Sequence, residues 1–436
     1  MNRKLNVLLA LLAMVIAGLL LAACGGSTPA ATQAPAAATQ APAAATQAPA
    51  ATTEAPAATT EAPAATTQAP AAGGLTFGMV LVGPKNDQGW SQANYEAGQY
   101  VEQKLPGSKM IAFENCCTST TLEDVVNDMI NQGAKLIITT SDAFQDDTLT
   151  VAKKHPDVTF ISTSGDNAWA DGQNAGKAPS NEGNIMGREE YMKEIAGCAA
   201  ALTTQKGSIG YLGPLINFET RRLTSSAYLG AKYCWTNYLK KDASALKFSV
   251  VWIGFWFNEP GTTLDPTQVA NQFYDGGADV VLSGIDTPEA ITVAGQRAEK
   301  GEKVWAIPYD YKGACSTAPN VCLGTPYYNW GPAYLKTAQD VLAGTWKQSF
   351  EWNGPDWKDL TNADTSNVGW VTGQAMTDTT DLNDFISKLA SGSINLWKGP
   401  IKLQDGTSYI DDGKDATDPQ IWYLPQLLQG MTGASK

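Results

Sequence analysis

The stretch LTFGMVLV at residues 75–82 is an apolar run of strand length, and the segment after it has the periodicity of an amphipathic helix. The same alternation recurs in seven further runs: KMIAF (109–113), KLIITT (135–140), VTFIST (158–163), GSIGYLG (207–213), FSVVWIG (248–254), ADVVLSG (278–284) and KVWAIPYD (303–310). Apolar strands joined by helices are typical of parallel sheets that carry helices on both faces. The sequence therefore predicts an α/β fold.

The first 24 residues have the features of a secretory signal. Arg3 and Lys4 precede an apolar run at residues 8–21, and small residues lead from it to Cys24. An uncleaved membrane helix is the alternative, but the run is shorter than the roughly 20 apolar residues that a spanning helix needs. The position of the cysteine resembles a bacterial lipobox. We therefore expect residues 1–24 to be a lipoprotein signal peptide and Cys24 to anchor the mature chain in the lipid bilayer.

Residues 25–74 consist almost entirely of Ala, Thr, Pro, Gln and Glu. Proline recurs there every seven residues from Pro35 to Pro70, which prevents a continuous helix. This composition contains nothing that could form a core. The segment is predicted to be a disordered tether between the anchor and a folded part.

The remaining residues, 75–436, exceed the usual size of one hydrophobic core, so two lobes are expected. We place the first lobe at 75–187 plus about 311–345 and the second at 188–310 plus about 346–436. The chain has 30 basic and 43 acidic residues and a net charge of −13. This balance argues against nucleic acid as a partner and against adhesion to anionic lipid.

Six cysteines follow Cys24, and an even number in an exported chain indicates disulfides. The candidates are Cys315 with Cys322, which bracket a short polar loop, and Cys198 and Cys234, which lie on successive predicted helices. Adjacent Cys116 and Cys117 have no assigned partner. A thiolate metal site is the alternative, but the chain has no Cys-x-x-Cys pair and one histidine, so we expect no metal and no cofactor.

Loops at the carboxyl ends of parallel strands face a common crevice. Five such loops carry carboxylates, aromatic rings or both, and the candidate ligand-binding residues in them are Asp87, Trp90, Asp142, Phe144, Trp256, Asp286 and Asp310. Taken singly, each aspartate could be a helix N-cap and each aromatic ring could be core. Together they suit a flat ring with hydrogen-bond donors on its edge. A free sugar remains possible, whereas the acidic crevice and the lack of a phosphate-binding glycine loop disfavour a phosphorylated ligand.

Catalytic signatures are weak in this chain. The single histidine, His155, lies in a polar turn, and neither an HExxH motif nor a GxSxG elbow is present. A glycosidase with two carboxylates is compatible with the residue types and is kept as an alternative. The sequence favours a binding protein over an enzyme.

Several of the same stretches resemble the basic membrane protein (BMP) family of substrate-binding lipoproteins of ABC transporters. The most specific are NDQGWSQANYEAG (86–98), TSDAFQDDTLTVAKKHPDVTF (140–160), VVWIGFWFNEP (250–260), GGADVVLSGIDTPEA (276–290) and YYNWGPAYLKTAQDVLAGTW (327–346). The resemblance implies a type I periplasmic-binding-protein fold, in which two parallel-sheet lobes are joined by three hinge crossings. It also implies a purine nucleoside or purine base as cargo.

The resemblance assigns roles to individual residues. Asp87 and Trp90 occupy the ligand-binding aspartate and the stacking aromatic of the family's Asp-x-Ser-Phe-Asn loop, although Gly89 and Ser91 replace its Ser and Asn. The second stacking aromatic falls on Trp256. Asp310 matches the family's ribose-binding aspartate, and Asp286 becomes a candidate for the edge of the ring.

The sequence thus predicts a lipid-anchored extracytoplasmic receptor that captures a purine nucleoside or base and delivers it to a membrane permease. Four alternatives stay open: a sugar-binding receptor of the same fold, a receptor that senses its ligand without transport, an adhesion protein, and the glycosidase.

Overall fold

The computed structural model describes residues 73–117 and 119–436. The predicted signal peptide, the predicted lipidation site Cys24 and all but the end of the predicted tether lie outside the described residues. Among the described helices, none combines the length and the apolar character that crossing a bilayer requires.

The strands and helices alternate along the chain. The strands are β1 (Thr76–Val80), β2 (Lys109–Phe113), β3 (Leu136–Thr139), β4 (Thr159–Thr163), β5 (Glu182–Gly187), β6 (Ser208–Gly213), β7 (Lys247–Trp252), β8 (Val280–Ser283), β9 (Trp305–Ile307), β10 (Gly324–Tyr328), β11 (Phe350–Asn353), β12 (Val368–Thr372), β13 (Ile401–Lys402), β14 (Ser408–Ile410) and β15 (Met431–Thr432). The helices are α1 (Trp90–Lys104), α2 (Leu122–Asn131), α3 (Gln145–Lys154), α4 (Glu190–Thr203), α5 (Phe218–Asn237), α6 (Pro266–Asp275), α7 (Glu289–Glu299), α8 (Gly331–Leu342), α9 (Thr380–Ala390) and α10 (Asp418–Trp422).

Two parallel sheets organise the fold. The first has the strand order β11-β5-β4-β3-β1-β2, and the second has the order β15-β7-β6-β8-β9. The inner strands β3 and β8 are buried at every position, as expected for strands covered by helices on both faces. The α/β prediction is confirmed. The sheet order reverses next to β1 and next to β6, and loops at such reversals form binding crevices.

The structure differs from the expected lobe boundaries at two places. Strand β11 pairs with β5, so residues 350–353 extend the first sheet, although we assigned everything after about 346 to the second lobe. Residues 314–321 form two short 3₁₀ turns that pack on α7, and Cys322 bridges Ala306 of β9. This segment therefore stays with the second sheet until β10. Both segments are placed by backbone pairing between residues that are distant in sequence.

Helices α4 and α5 pack unusually closely. A Cβ at Gly197 would lie 1.8 Å from the carbonyl oxygen of Ala227, and one at Gly230 would lie 1.9 Å from that of Glu194. A disulfide joins Cys198 to Cys234 across this contact, and a second joins Cys315 to Cys322. The third joins adjacent Cys116 and Cys117. Glycine at both crossing points is what allows the two backbones to touch.

The C-terminal segment is a mixture of short elements that pack around the two sheets. Strand β12 pairs with β10, and β15 adds a short edge strand to the second sheet. Trp370, Trp397 and Trp422 are buried and pack in the core of this segment.

Candidate functional site

Between the carboxyl ends of the two sheets lies a small cavity, called the interlobe cavity below. The first-sheet side contributes Val82, Trp90, Ser141, Asp142 and Ser164. The second-sheet side contributes Glu219, Trp256 and Asp286. Loops that follow different strands thus bring two indole rings and three carboxyl groups to one enclosed space.

Trp90 is held rigidly at the start of α1. Its side chain is buried, and its indole Nε1 donates to the carbonyl oxygen of Thr140 at 2.5 Å. The rings of Tyr328 and Trp330 lie edge-on to it, with centroid distances of 5.2 and 5.3 Å. The indole therefore forms a fixed part of the cavity wall.

Trp256 lies in the loop after β7 and is partly buried. Its carbonyl oxygen accepts a hydrogen bond from the backbone N–H of Asp286 at 3.0 Å. This bond couples the loop that carries the second indole to the loop that carries a cavity carboxyl group. Both loops follow strands of the second sheet.

Of the three cavity acids, Asp286 and Glu219 are buried and Asp142 is partly buried. Burial raises the pKa of Asp142 and raises that of Asp286 well above its usual range, and neighbouring carboxylates add to the effect at Asp286. Burial also raises the pKa of Glu219 to about 8, although the nearby Arg222 opposes the shift. Asp142 Oδ2 accepts from Asn217 Nδ2 at 3.1 Å. Within the described residues, the carboxyl groups of Asp286 and Glu219 make no side-chain hydrogen bond, so both can meet a ligand.

Four of the seven predicted ligand residues line the cavity: Trp90, Asp142, Trp256 and Asp286. Asp87 does not, because its carboxylate caps α1. Its Oδ1 accepts from the backbone N–H groups of Gly89 and Gln92 at 2.9 and 3.0 Å, and its Oδ2 accepts from that of Ser91 at 2.9 Å. Phe144 is buried in the core and also does not line the cavity. The ligand-binding roles of Asp87 and Phe144 stay predictions.

Asp310 is fully buried and lies beside the cavity rather than in its wall. Its φ of 68° is in the left-handed region, which costs a non-glycine residue free energy. Both carboxylate oxygens lack a hydrogen-bond partner within the described residues. The positive charge of the buried Lys193 opposes the rise in the pKa of Asp310 that burial causes. Lys193 Nζ donates to the carbonyl oxygen of Ser283 at 2.9 Å and lies 3.1 Å from the ring centre of Tyr309. The predicted role of Asp310 with a ribose stays a prediction.

Sequence reasoning missed Val82, Ser141, Ser164 and Glu219. Glu219 lies in the first turn of α5, behind an N-cap at Asn217 that forms a capping box with Thr220. The loop after GSIGYLG leads directly to it, so the rule used for the other strand ends would have found it. Within residues 73–117 and 119–436, no cluster of His, Cys, Asp and Glu is arranged to hold a metal ion.

Comparisons with known proteins agree with this arrangement. The family described as ABC transporter substrate-binding protein PnrA-like (Bmp) matches residues 75–361. A purine-binding protein of Brucella abortus is 31% identical over 366 residues, which cover 82% of this chain and 93% of the relative. A putative ABC transporter glucose-binding protein of Haloferax volcanii is 26% identical over 275 residues, which cover 63% of each chain.

Solved structures share the fold at low sequence identity. An ABC transporter solute-binding protein from Aeropyrum pernix has a TM-score of 0.59 at 13% identity and covers 76% of this chain and 93% of its own. One from Conexibacter woesei has a TM-score of 0.55 at 18% identity and covers 74% of this chain and 98% of its own. The fold is therefore the two-lobed type I periplasmic-binding-protein fold, and the chain belongs to the Bmp family of PnrA-like ABC transporter substrate-binding proteins.

Proposed function

We propose that this protein binds a purine base or purine nucleoside in the interlobe cavity and delivers it to its ABC permease for import. As an ABC transporter substrate-binding protein it works outside the cytoplasm. The observation that carries the proposal is the pairing of two indoles with three carboxyl groups around one cavity. The relative from Brucella abortus, named as purine-binding, supports the same ligand class.

The indoles supply the larger part of the binding free energy in this proposal. Stacking a heteroaromatic ring on an aromatic side chain contributes about 1–3 kcal/mol per face. Two faces give about 2–6 kcal/mol, and micromolar affinity needs about 8.2 kcal/mol. One or two hydrogen bonds to charged groups, at about 1.5–3 kcal/mol each, supply the rest.

The carboxyl groups favour ligands that carry hydrogen-bond donors on the edge of the ring. The carboxyl oxygens of Asp142 and Asp286 accept hydrogen bonds, so they suit ring N–H and exocyclic amino groups. Glu219, with a pKa of about 8, is protonated at neutral pH and offers both a donor and an acceptor. A phosphate group would meet these acids unfavourably, so we exclude nucleotides as ligands. Binding without turnover is the proposed activity, and the protein is not an enzyme in this proposal.

Membrane attachment through a lipidated Cys24 and a flexible tether at 25–74 completes the proposal. Mass spectrometry of the mature protein tests it, because the expected N-terminal peptide begins with diacylglyceryl-cysteine. An N-terminal peptide that begins before Cys24 would contradict lipidation without affecting the ligand.

Mass spectrometry of small molecules that co-purify with the protein, followed by titration calorimetry, tests the ligand. We expect adenine, guanine or their nucleosides to bind with micromolar or better affinity and without chemical change. Glucose is the second candidate, because a relative is named as a putative glucose-binding protein and aromatic rings with carboxylates also bind pyranoses. Saturable glucose binding without purine binding would refute the purine proposal in favour of the sugar.

A further inference from the structure

The end of the chain, from α10 to β15, lies beyond residue 361, where the match to the family ends. This segment is attached to the second sheet. Strand β15 pairs with β7, and Nε of Arg221 on α5 donates to the carbonyl oxygen of Leu424 at 2.8 Å, just after α10. Backbone and side-chain bonds thus fix the C-terminal segment to the second-sheet side of the molecule.

Helix α10 also contacts the first sheet, at its edge. The guanidinium of Arg188, the residue after β5, donates to both carboxylate oxygens of Asp418 at 3.1 and 2.5 Å. The ring of Trp422 lies edge-on to Phe350 and Trp352 of β11, with centroid distances of 5.2 and 5.0 Å. Because the chain passes from the first sheet to α4 of the second at Arg188, these contacts change little when the two sheets move apart.

Tyr423, the next residue along, reaches the loop between β4 and β5 of the first sheet. Its hydroxyl donates to the carboxylate of Asp166 and accepts from the backbone N–H of Gln173 at 2.8 Å. Its ring stacks on that of Trp169, with centroids 5.7 Å apart and planes inclined by 16°. Phe218, at the start of α5, lies edge-on to the same ring at 5.3 Å. The contact of Tyr423 with Asp166, Trp169 and Gln173 is called the latch below.

The loop of the first sheet is shaped to receive the hydroxyl of Tyr423. Asp166 is buried, and its Oδ1 accepts from Asn174 Nδ2 at 2.6 Å, which leaves Oδ2 for Tyr423. A Cβ at Gly172 would lie 2.8 Å from the tyrosine hydroxyl oxygen, so even alanine there would displace it. Hydrogen bonds to carboxylates are among the stronger ones in proteins, and a buried oxygen that loses its donor costs free energy.

We infer that the latch stabilises the closed arrangement of the two sheets in the absence of a ligand, so that the C-terminal segment controls how readily the interlobe cavity opens. The bonds of Tyr423 to Asp166 and Gln173 join a segment of the second sheet to a loop of the first. They must break when the sheets separate, and they therefore lower the free energy of the closed state relative to the open one. This inference concerns the protein without ligand and does not depend on which compound binds.

Distances between two nitroxide labels, measured on the full chain without ligand by double electron–electron resonance, test the inference. Asp147→Cys and Gln268→Cys carry the labels, because both residues are exposed in the first turns of α3 and α6, one beside each sheet. Cys24→Ser in every sample leaves these as the only free thiols, since the other six cysteines are paired. We expect a short and a long distance, and Tyr423→Phe should lower the ratio of short to long by roughly tenfold.

Tyr409→Phe is the matched control. Its hydroxyl donates to the carbonyl oxygen of Gln420 at 2.7 Å, inside the C-terminal segment, so removing it breaks no bond between the two sheets. The distance ratio should stay unchanged in this variant. Gly172→Ala acts from the other side of the latch and should lower the ratio as Tyr423→Phe does, although it keeps the tyrosine hydroxyl.

The same distance ratio in the unmodified protein, Tyr423→Phe and Gly172→Ala would overturn the inference. A sample of the unmodified protein that shows only the long distance without ligand would overturn it as well. Both results would leave the proposed ligand untouched, because no ligand is present in the measurement. Failure to bind any purine, with the expected ratios, would refute the proposed function and leave the latch standing.

Discussion

Gly89 lies against the backbone of Asp286, so that a Cβ at position 89 would lie 1.7 Å from the carbonyl oxygen of Asp286. Gly89 precedes α1 beside the first sheet, and Asp286 follows β8 of the second sheet. Next to this contact, the hydroxyl of Thr317 donates to Gln88 Oε1 at 3.0 Å. The two sides of the cavity thus meet through backbone contact, which explains why glycine replaces the serine of the family pattern.

Gly89→Ala should prevent this contact. A distance of 1.7 Å is far inside any van der Waals contact, and the obstacle is backbone, which cannot rotate away as a side chain could. We expect ligand affinity to fall at least tenfold and the ligand-induced decrease in radius of gyration to disappear in small-angle X-ray scattering. Gly354→Ala is the control, since no heavy atom lies within 4 Å of a Cβ there. Unchanged affinity in Gly89→Ala would show that ligand binding does not require the contact between Gly89 and the backbone of Asp286.

Trp256→Ala should weaken purine binding by about 1–3 kcal/mol, because one stacking face is lost. The indole is partly exposed, so the free energy of unfolding should change little. Phe257→Ala is the neighbouring control, because that ring does not line the interlobe cavity. Calorimetry that gives the same affinity for Trp256→Ala and Phe257→Ala would contradict stacking on Trp256.

Trp90→Ala should lose affinity by a similar amount and stability as well. Its indole is 7% exposed and packs on Tyr328 and Trp330, and truncation of a buried tryptophan costs about 3–5 kcal/mol of folding free energy. Chemical denaturation of the apo protein, combined with calorimetry, separates the two effects. Loss of stability with unaltered affinity would remove Trp90 from the binding site.

The stability of the apo protein should depend on pH through Glu219. Its pKa is about 8 when folded and near 4.5 when unfolded, so between these values the folded state binds one more proton. The free energy of unfolding therefore falls as the pH rises from about 4.5 to about 8, by at most about 1.4 kcal/mol per pH unit from this group.

Glu219→Gln removes this titration, so its stability should fall less steeply than that of the unmodified protein over the same range. Urea denaturation at pH 5, 6.5 and 8 measures the difference between the two slopes. Identical slopes would mean that Glu219 is ionised in the folded protein at neutral pH.

Arg222→Met should destabilise the fold by about 3–5 kcal/mol, because it leaves the carboxylate of Glu190 buried without its partner. Lys154→Met breaks an exposed ion pair with Glu123 and should cost about 0–1 kcal/mol. Urea denaturation of both variants gives the comparison. Equal losses of unfolding free energy in the two variants would indicate that water reaches the ion pair of Arg222 and Glu190 in solution.

The site residues that follow the ends of strands were the easiest to predict from the sequence. Trp90, Asp142, Trp256 and Asp286 follow apolar runs that could be recognised by length, and parallel strands must present their carboxyl ends at one edge. Asp87 shows the limit of this reasoning. A carboxylate before a helix can cap it or bind a ligand, and the residue type is the same in both cases; in the structure its oxygens are taken up by capping.

By itself, the sequence determined the α/β class, the alternation of strands and helices, and most of the loops that reach the cavity, because these depend on local periodicity and chain order. The tertiary structure decided that β11 joins the first sheet, that Gly89 contacts Asp286, and that the hydroxyl of Tyr423 donates to Asp166. Each of these is a contact between residues far apart in the chain, and such contacts form when buried surfaces fit in three dimensions.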